Sequence, residues 1–308
     1  FRAMTLRHIR FRSTLFALAA ACALAACKGD STGPRVNDLG PVAYMGQDPA
    51  QGSWRIFLAD PAAGTSRRLT QNDEDEVFPV WTRDRTRLAY YVEGAGILYV
   101  INADGTNRRQ IAQLSGVADI AWSPDGTRLA LERDNTALGG SGAGIWLIDA
   151  DGTDLRLLVA APAGAPDWSP DGDRIAFQVF GPFWLPGTDP GRIDVIGVDG
   201  SNRRTLLTAP AGTWLRDPAW SPDGRSLAFA RGDFDTSTLY VAGAGGESPR
   251  ALTQPRTDGG YQLDLGPEWS RDGRWLTFGR QYPECPAGGG PCLQRREVFV
   301  VRREGTGL

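Results

Sequence analysis

A serine or cysteine nucleophile is usually activated by a nearby histidine, and many catalytic metals sit on imidazole nitrogens. The chain has one histidine, His8, within an N-terminal stretch whose make-up marks it for export and removal. What remains excludes a Ser-His-Asp or Cys-His arrangement and any histidine-ligated metal; no catalytic residue, no metal and no cofactor is expected. Carboxylates are plentiful, 36 Asp and Glu together, so paired-acid glycosidase chemistry survives in principle. No pair is singled out by spacing. The run DADGTD, Asp149 to Asp154, offers oxygen donors as a calcium loop does, but its glycine is fourth rather than sixth. It reads as an Asp-Gly turn.

The elements that would position any such groups come from a repeat. The stretch APDWSPDGDRIAF, Ala165 to Phe177, has counterparts ending at Tyr90, Leu131, Phe229 and Phe278. Its tryptophan falls at Trp81, Trp122, Trp168, Trp220 and Trp269, at spacings of 41, 46, 52 and 49 residues. Periods of this size built from several short strands are those of propeller blades. In each unit an apolar segment carries the tryptophan, often two residues after a proline (Pro79, Pro166, Pro218, Pro267). Ser-Pro-Asp-Gly then makes a tight turn, with proline fixing φ, aspartate bonding the local backbone and glycine taking the left-handed position. An alternating strand such as RIAF follows, then a third segment such as ILYVI, an Asp-Gly turn and a fourth strand. No segment has the period of a long helix, so the chain is all-β.

The Pro-x-Trp-Ser-Pro-Asp-Gly hairpin followed by Leu/Ile-Ala-Phe resembles the WD-like repeat of TolB-type β-propellers, over nearly all of the chain after residue 40. The resemblance implies a six-bladed β-propeller of four-stranded antiparallel blades and a non-catalytic role in binding a protein or peptide. No α/β domain like the one that precedes the propeller in TolB is expected. Two enzyme types with similar propellers, prolyl-oligopeptidase-like serine peptidases and pectate-degrading lyases, rely on histidine, which weighs against both. The first and last blades are incomplete. Pro41 to Thr70 supplies strands two to four without a tryptophan-bearing first strand, and the last unit stops after its third strand. The missing pieces are consecutive, and the expectation is that about 25 residues carrying them are lost beyond Leu308, by analogy with the other repeats.

Met4 is the expected start. Arg7, Arg10 and Arg12 precede an apolar run, Leu15 to Ala26, and then Cys27, which together describe a secretory signal too short for a membrane span. Leu24-Ala25-Ala26-Cys27 resembles the bacterial lipobox, which implies lipidation at Cys27. Residues 1–27 are then a lipoprotein-type signal, 28–40 a flexible tether and 41–308 the propeller. The protein is expected to be exported and lipid-anchored in the cell envelope, facing the periplasm or exterior, as a monomer whose membrane contact is the lipid alone. In an exported protein Cys285 and Cys292 are expected to form a disulfide. After residue 27 the chain carries 29 basic and 36 acidic side chains, a net of −7, which excludes nucleic acid as a partner.

One end of the propeller should carry short, uniform turns and the other variable loops, and recognition favours variable loops on a rigid scaffold. The loop segments include NDEDE (Asn72 to Glu76), VFGPFWLPGTDPG (Val179 to Gly191), GTWLRD (Gly212 to Asp217) and GGYQLD (Gly259 to Asp264). Their aromatic and charged residues Phe183, Trp184, Trp214, Arg216, Asp217, Tyr261 and Asp264 are the ligand-binding candidates, for an envelope protein or peptide or, alternatively, a glycan. Asp73, Glu74, Asp75 and Glu76 read as a solvated acidic run.

Overall fold

The structure, a computed structural model, describes residues 41–47, 52–60, 63–71, 74–134, 142–160, 162–180, 191–233, 235–255, 260–284 and 293–305. Cys27, Cys285, Cys292, Phe183 and Trp184 lie outside these residues, as do the signal and tether. Among the described residues every regular element is a strand. The first unit is a three-stranded sheet of β1 (Val42–Gln47), β2 (Trp54–Asp60) and β3 (Thr65–Arg68). Three four-stranded sheets follow: β4 (Glu76–Trp81), β5 (Arg87–Val92), β6 (Ile97–Asn102) and β7 (Arg109–Gln113); β8 (Val117–Trp122), β9 (Arg128–Arg133), β10 (Gly144–Asp149) and β11 (Arg156–Ala160); and β12 (Ala163–Trp168), β13 (Arg174–Val179), β14 (Arg192–Gly197) and β15 (Arg204–Thr208).

The remaining strands form one larger sheet that divides into two units of the same kind. They are β16 (Trp214–Trp220), β17 (Ser226–Gly232), β18 (Thr236–Gly243) and β19 (Arg250–Ala251), then β20 (Gln262–Trp269), β21 (Trp275–Glu284) and β22 (Leu293–Arg302). A two-residue parallel bridge, Thr236 opposite Gln262 and Ser237 opposite Leu263, welds them. Within every unit neighbouring strands are antiparallel in sequence order. The tryptophan-bearing strands β4, β8, β12, β16 and β20 pack one on the next, which makes them the inner strands of successive blades.

The turn chemistry is what the repeat's composition dictates. In the third unit Gly126 is left-handed at φ 69° and its N–H reaches Ser123 O at 2.9 Å. The Ser123 hydroxyl donates to Asp125 Oδ1 at 2.6 Å and accepts from Arg128 N–H at 2.9 Å. A hydroxyl–aspartate pair recurs at Thr82–Asp84, Ser169–Asp171, Ser221–Asp223 and Ser270–Asp272. One residue thus closes the hairpin, satisfies the turn's donors and fixes where strand two begins.

The core lies between the sheets. Trp168 packs with Ala121, Ala130, Ile145, Ile175 and Phe177 across the boundary between the third and fourth units, and Trp122 and Trp220 occupy the equivalent places one boundary earlier and one later. All three are buried, at 8, 5 and 6 % exposure for Trp122, Trp168 and Trp220. Trp81 and Trp269 are only half-buried, a departure from the expectation that all five are core. Trp81 follows the unit that has no inner strand among the described residues. Trp269 is capped by a borrowed side chain: β5, β9 and β13 begin with Arg87, Arg128 and Arg174, which stack on Trp122, Trp168 and Trp220 at 5.3, 5.0 and 5.3 Å. Where β17 has Ser226 instead, Arg303 from beyond β22 covers Trp269 at 5.6 Å and bonds the Ser226 hydroxyl at 2.8 Å.

Candidate functional site at the loop end

Each inner strand runs from the loop end toward its Ser-Pro-Asp-Gly hairpin, so the variable connections gather where β4, β8, β12, β16 and β20 start. Just inside that end the inner strands are kinked. Phe78, Ala165, Asp217 and Gly266, each three residues before the repeat's tryptophan and directly before its proline, have φ of 55°, 47°, 52° and 60°. The ladder slips at each of these places. Three of them are non-glycine residues in a region that side chains disfavour, so something must hold them there. Across a blade boundary, Glu132 Oε2 accepts from Ala165 N–H at 2.8 Å, Gln178 Oε1 from Asp217 N–H at 3.2 Å, and Asp217 Oδ2 from Gly266 N–H at 3.1 Å. The third unit has Ile120 in place of the proline, and there Asp119 is not left-handed but accepts from Ile120 N–H at 2.9 Å.

Two acids five residues before the tryptophan sit deeper still. Glu76 and Asp264 are both 0 % exposed. Glu76 accepts the Thr70 hydroxyl and faces Ile56 N–H, and the neighbouring Arg55, equally buried, donates to Glu74 O at 2.8 Å. Glu76 therefore does not belong to a solvated acidic run: it begins an inner strand, where a carboxylate is kept in the interior by a hydroxyl. Asp264 takes a two-pronged contact from Arg280, at 2.6 and 2.9 Å, with Gln262 alongside. A two-pronged contact of this kind leaves neither buried charge without a partner.

The segments around Trp214 and Asp264 are also strand where sequence suggests loop. Trp214, Arg216 and Asp217 belong to β16, and Asp264 belongs to β20 with Tyr261 just before it. The strands extend to the loop end because the kink re-phases their alternation. Asp217 and Asp264 are thereby turned inward as described, while Trp214, Arg216 and Tyr261 stay half-exposed. The Arg216 guanidinium lies 4.4 Å from the centre of the Trp214 ring. Burial lowers the Arg216 pKa and Asp217 beside it pulls the other way. Trp214 Nε1 donates to Asp233 O at 2.9 Å, and Asp233 in turn receives Asp235 N–H and Thr236 N–H at 3.0 and 2.8 Å. Gln262 N–H, next to Tyr261, closes on Asp235 O at 3.0 Å. Trp214 Nε1 and the backbone N–H of Gln262, next to Tyr261, therefore bond the carbonyls of Asp233 and Asp235, and burial raises the Tyr261 pKa.

Sequence reasoning missed the staples Glu132 and Gln178, and Arg280. A signal existed: in RLALER and RIAFQV a polar residue follows the last core position of strand two, where Tyr91 and Ala230 stand in sister units. Glu76 and Asp217 are engaged across blade boundaries, and Asp264 within its own blade. The groups left half-exposed are the Trp214 ring with the Arg216 guanidinium on its face and, just before β20, Tyr261. Among the described residues no group of three or more His, Cys, Asp and Glu is arranged to hold a metal ion.

No family model matches the chain. It is 27 % identical over 195 residues to an uncharacterised protein of Agrobacterium fabrum, 58 % of this chain and 62 % of that one. It is 27 % identical over 185 residues to an uncharacterised peptidase, YuxL, of Bacillus subtilis, 59 % of this chain and 24 % of that one. The matches thus span less than two thirds of either relative. Among solved structures, TolB from Acinetobacter baumannii superposes with a TM-score of 0.63 at 15 % identity, over 93 % of this chain and 68 % of that one. An oligogalacturonate lyase in complex with manganese superposes with a TM-score of 0.58 at 18 % identity, over 79 % of this chain and 68 % of that one. The likeness is one of fold: the chain is a TolB-like β-propeller.

Proposed function

We propose that this is an exported lipoprotein of the bacterial envelope, anchored through Cys27, whose loop end binds a protein or peptide without catalysing a reaction. The observation that carries the reading is the Trp214–Arg216 stack, ring to guanidinium at 4.4 Å, held through Trp214 Nε1 on Asp233 O and half-exposed. Tryptophan, tyrosine and arginine on a rigid support are the side chains that dominate protein interfaces, because they cover much area at small entropic cost. The TolB-like fold and the lipobox-like Leu24-Ala25-Ala26-Cys27 support the setting.

The test is capture from envelope extract on immobilised wild type and on Trp214→Ala/Arg216→Ala. A protein retained by the first and lost from the second, with the variant folded, is the expected result. Equal retention by both would sink the reading, and binding on a glycan array that depends on the same two residues would replace it with a glycan-binding propeller. The anchor is tested separately, by labelling with a fatty-acid analogue that should mark wild type and not Cys27→Ala.

A further inference from the structure

Strand β1 starts at the hairpin end of the propeller. In the second, third and fourth units the turn after strand three is bonded to the turn before strand two, Ala103 N–H to Thr86 O, Ala150 N–H to Thr127 O and Val198 N–H to Asp173 O, at 2.9, 2.7 and 3.0 Å. Both turns therefore lie at that end. In the first unit the turn between β2 and β3 reaches the same place, since Arg67 just past it donates to Ala103 O at 2.7 Å. Val42 stands opposite Ala59 beside this turn, and Gln47 opposite Trp54 at the far end. The residues before Pro41 thus join the hairpin end. Residues 28–40 separate Cys27 from the propeller, a distance of about 20 Å as a flexible coil and about 45 Å drawn straight. The six-residue inner strands β4, β8 and β12 are themselves about 20 Å tall. A coil of that length keeps the hairpin end near a bilayer that holds Cys27, whereas inverting the propeller would draw the coil out along a blade's whole height.

The rim of the same end has an apolar surface. Among the described residues the exposed large apolar side chains are Leu155 at 40 % and Leu157 at 43 %, at the hairpin-end start of β11. Flanking Arg156, they share one face, and Leu157 lies opposite the half-exposed Trp146. Leu155 follows the left-handed Asp154 as Arg108 follows Asn107 and Arg203 follows Asn202 in the units on either side, at φ of 50°, 52° and 54°. In those units the arginine folds back over its own blade, Arg108 on Tyr99 at 3.6 Å and Arg203 on Phe177 at 5.2 Å. In the third unit Arg133 covers Trp146 from the other end of the strands at 5.0 Å. Packing therefore makes no demand for an apolar residue at 155. Exposed Arg108 and Arg109 flank the leucines on one side, and exposed Arg203 and Arg204 on the other. The turn acids Asp104, Asp151 and Asp199 are occupied within their own turns, each by the N–H two residues on. Leucine between arginines suits a headgroup layer, where the apolar side chain enters the acyl boundary and guanidinium groups bond phosphate.

We propose that the hairpin-end rim at Leu155 and Leu157 rests on the phospholipid bilayer that holds the anchor, so that the loop end is presented away from the membrane. This rests on the lipoprotein reading above and constrains it: what Trp214 and Arg216 bind approaches from the aqueous side.

The test is amide exchange on the full lipidated protein reconstituted into vesicles of phosphatidylethanolamine and phosphatidylglycerol, wild type against Leu155→Gln/Leu157→Gln. After allowance for intrinsic rates, residues 152–158 should exchange about ten-fold more slowly in wild type, the factor that covering the exposed part of two leucines corresponds to. Segments 214–217 and 233–236 should exchange alike in both proteins and remain open to a water-soluble amine- or carboxyl-directed reagent. Unchanged exchange in β8 and β9 shows that the variant is folded. Equal rates at 152–158 in two folded, fatty-acylated, vesicle-bound proteins overturn this inference alone, as does shielding of the loop-end segments by the vesicles. A protein that carries no fatty acid and does not float with the vesicles overturns both this inference and the anchor.

Discussion

At the hairpin end of this propeller five turns carry the same hydroxyl–aspartate pair, and four of the repeat's tryptophans carry a stacked arginine. At the loop end no two inner strands begin alike: Glu76 with Thr70, Asp264 with Arg280, and at the starts of β8, β12 and β16 Val117, Ala163 and Trp214. The two ends belong to the same strands, so the contrast lies in what the side chains are asked to satisfy. Turn donors are identical in every unit and call for identical partners. The kink at the loop end exposes an N–H across a boundary, and any acceptor of the right length will do, whether Glu132, Gln178 or Asp217. The uniform end makes the frame, and the other end is free to diverge.

The strongest test of that division removes a boundary tryptophan. Trp168→Ala should lower stability by about 3–5 kcal/mol, the range for a large buried aromatic, measured by denaturant titration, while leaving loop-end binding intact in whatever fraction folds. A well-folded variant that had lost only binding would place function in the repeat itself. Next, at the loop end, Arg280→Ala strands the Asp264 carboxylate and should cost about 3 kcal/mol, whereas Asp264→Leu/Arg280→Met should recover most of it, because a buried pair is worth little against apolar packing. Equal losses in the single and double variants would mean that the pair acts through something besides its charge.

The frame was legible in the sequence because its signals are local. Pro-x-Trp-Ser-Pro-Asp-Gly states a turn, a strand start and a buried ring within seven residues, and repetition removes ambiguity. The incomplete first sheet could be read the same way, from Pro41 to Thr70 lacking a tryptophan-bearing first strand. The loop end was legible only in part. Trp214, Arg216 and Tyr261 are half-exposed there, but Asp217 and Asp264 face inward, and Glu76, in an acidic run, is wholly buried. Their orientation depends on left-handed residues before proline, which no propensity of phenylalanine, alanine or aspartate announces, and on partners 33 to 49 residues away. Alternation breaks at the kink, so counting by twos from the tryptophan assigns the wrong face beyond it.

A smaller effect probes how interchangeable the hairpin-end parts are. Arg303→Ala removes the guanidinium over Trp269 and its bond to Ser226, and should cost about 1 kcal/mol, as for a partly exposed cation–π contact with one polar bond. Ser226→Arg in that background should restore it, because an arginine at the start of strand two covers the next tryptophan in three other units. Failure to restore would show that Arg303 holds the chain end rather than the ring.

The smallest effect is the acid response of the turns. The Thr82 hydroxyl holds the Asp84 carboxyl down at about 2, helped by Thr86, and the Ser221 hydroxyl does the same for Asp223, helped by Arg225 N–H and by Arg303. Both folded values lie below the ordinary 3.8, so the ionised form is favoured by folding. Their stabilisation is complete above about pH 4 and is lost as pH falls from there toward about 2. Because both carboxylates are largely in water, each should contribute only about 0.5 kcal/mol. Urea midpoints followed from pH 5 to pH 2 should therefore fall less steeply in Asp84→Asn/Asp223→Asn than in wild type, with the curves converging at the acid limit. Parallel curves in the two proteins would mean that acid instability arises somewhere other than these two turns.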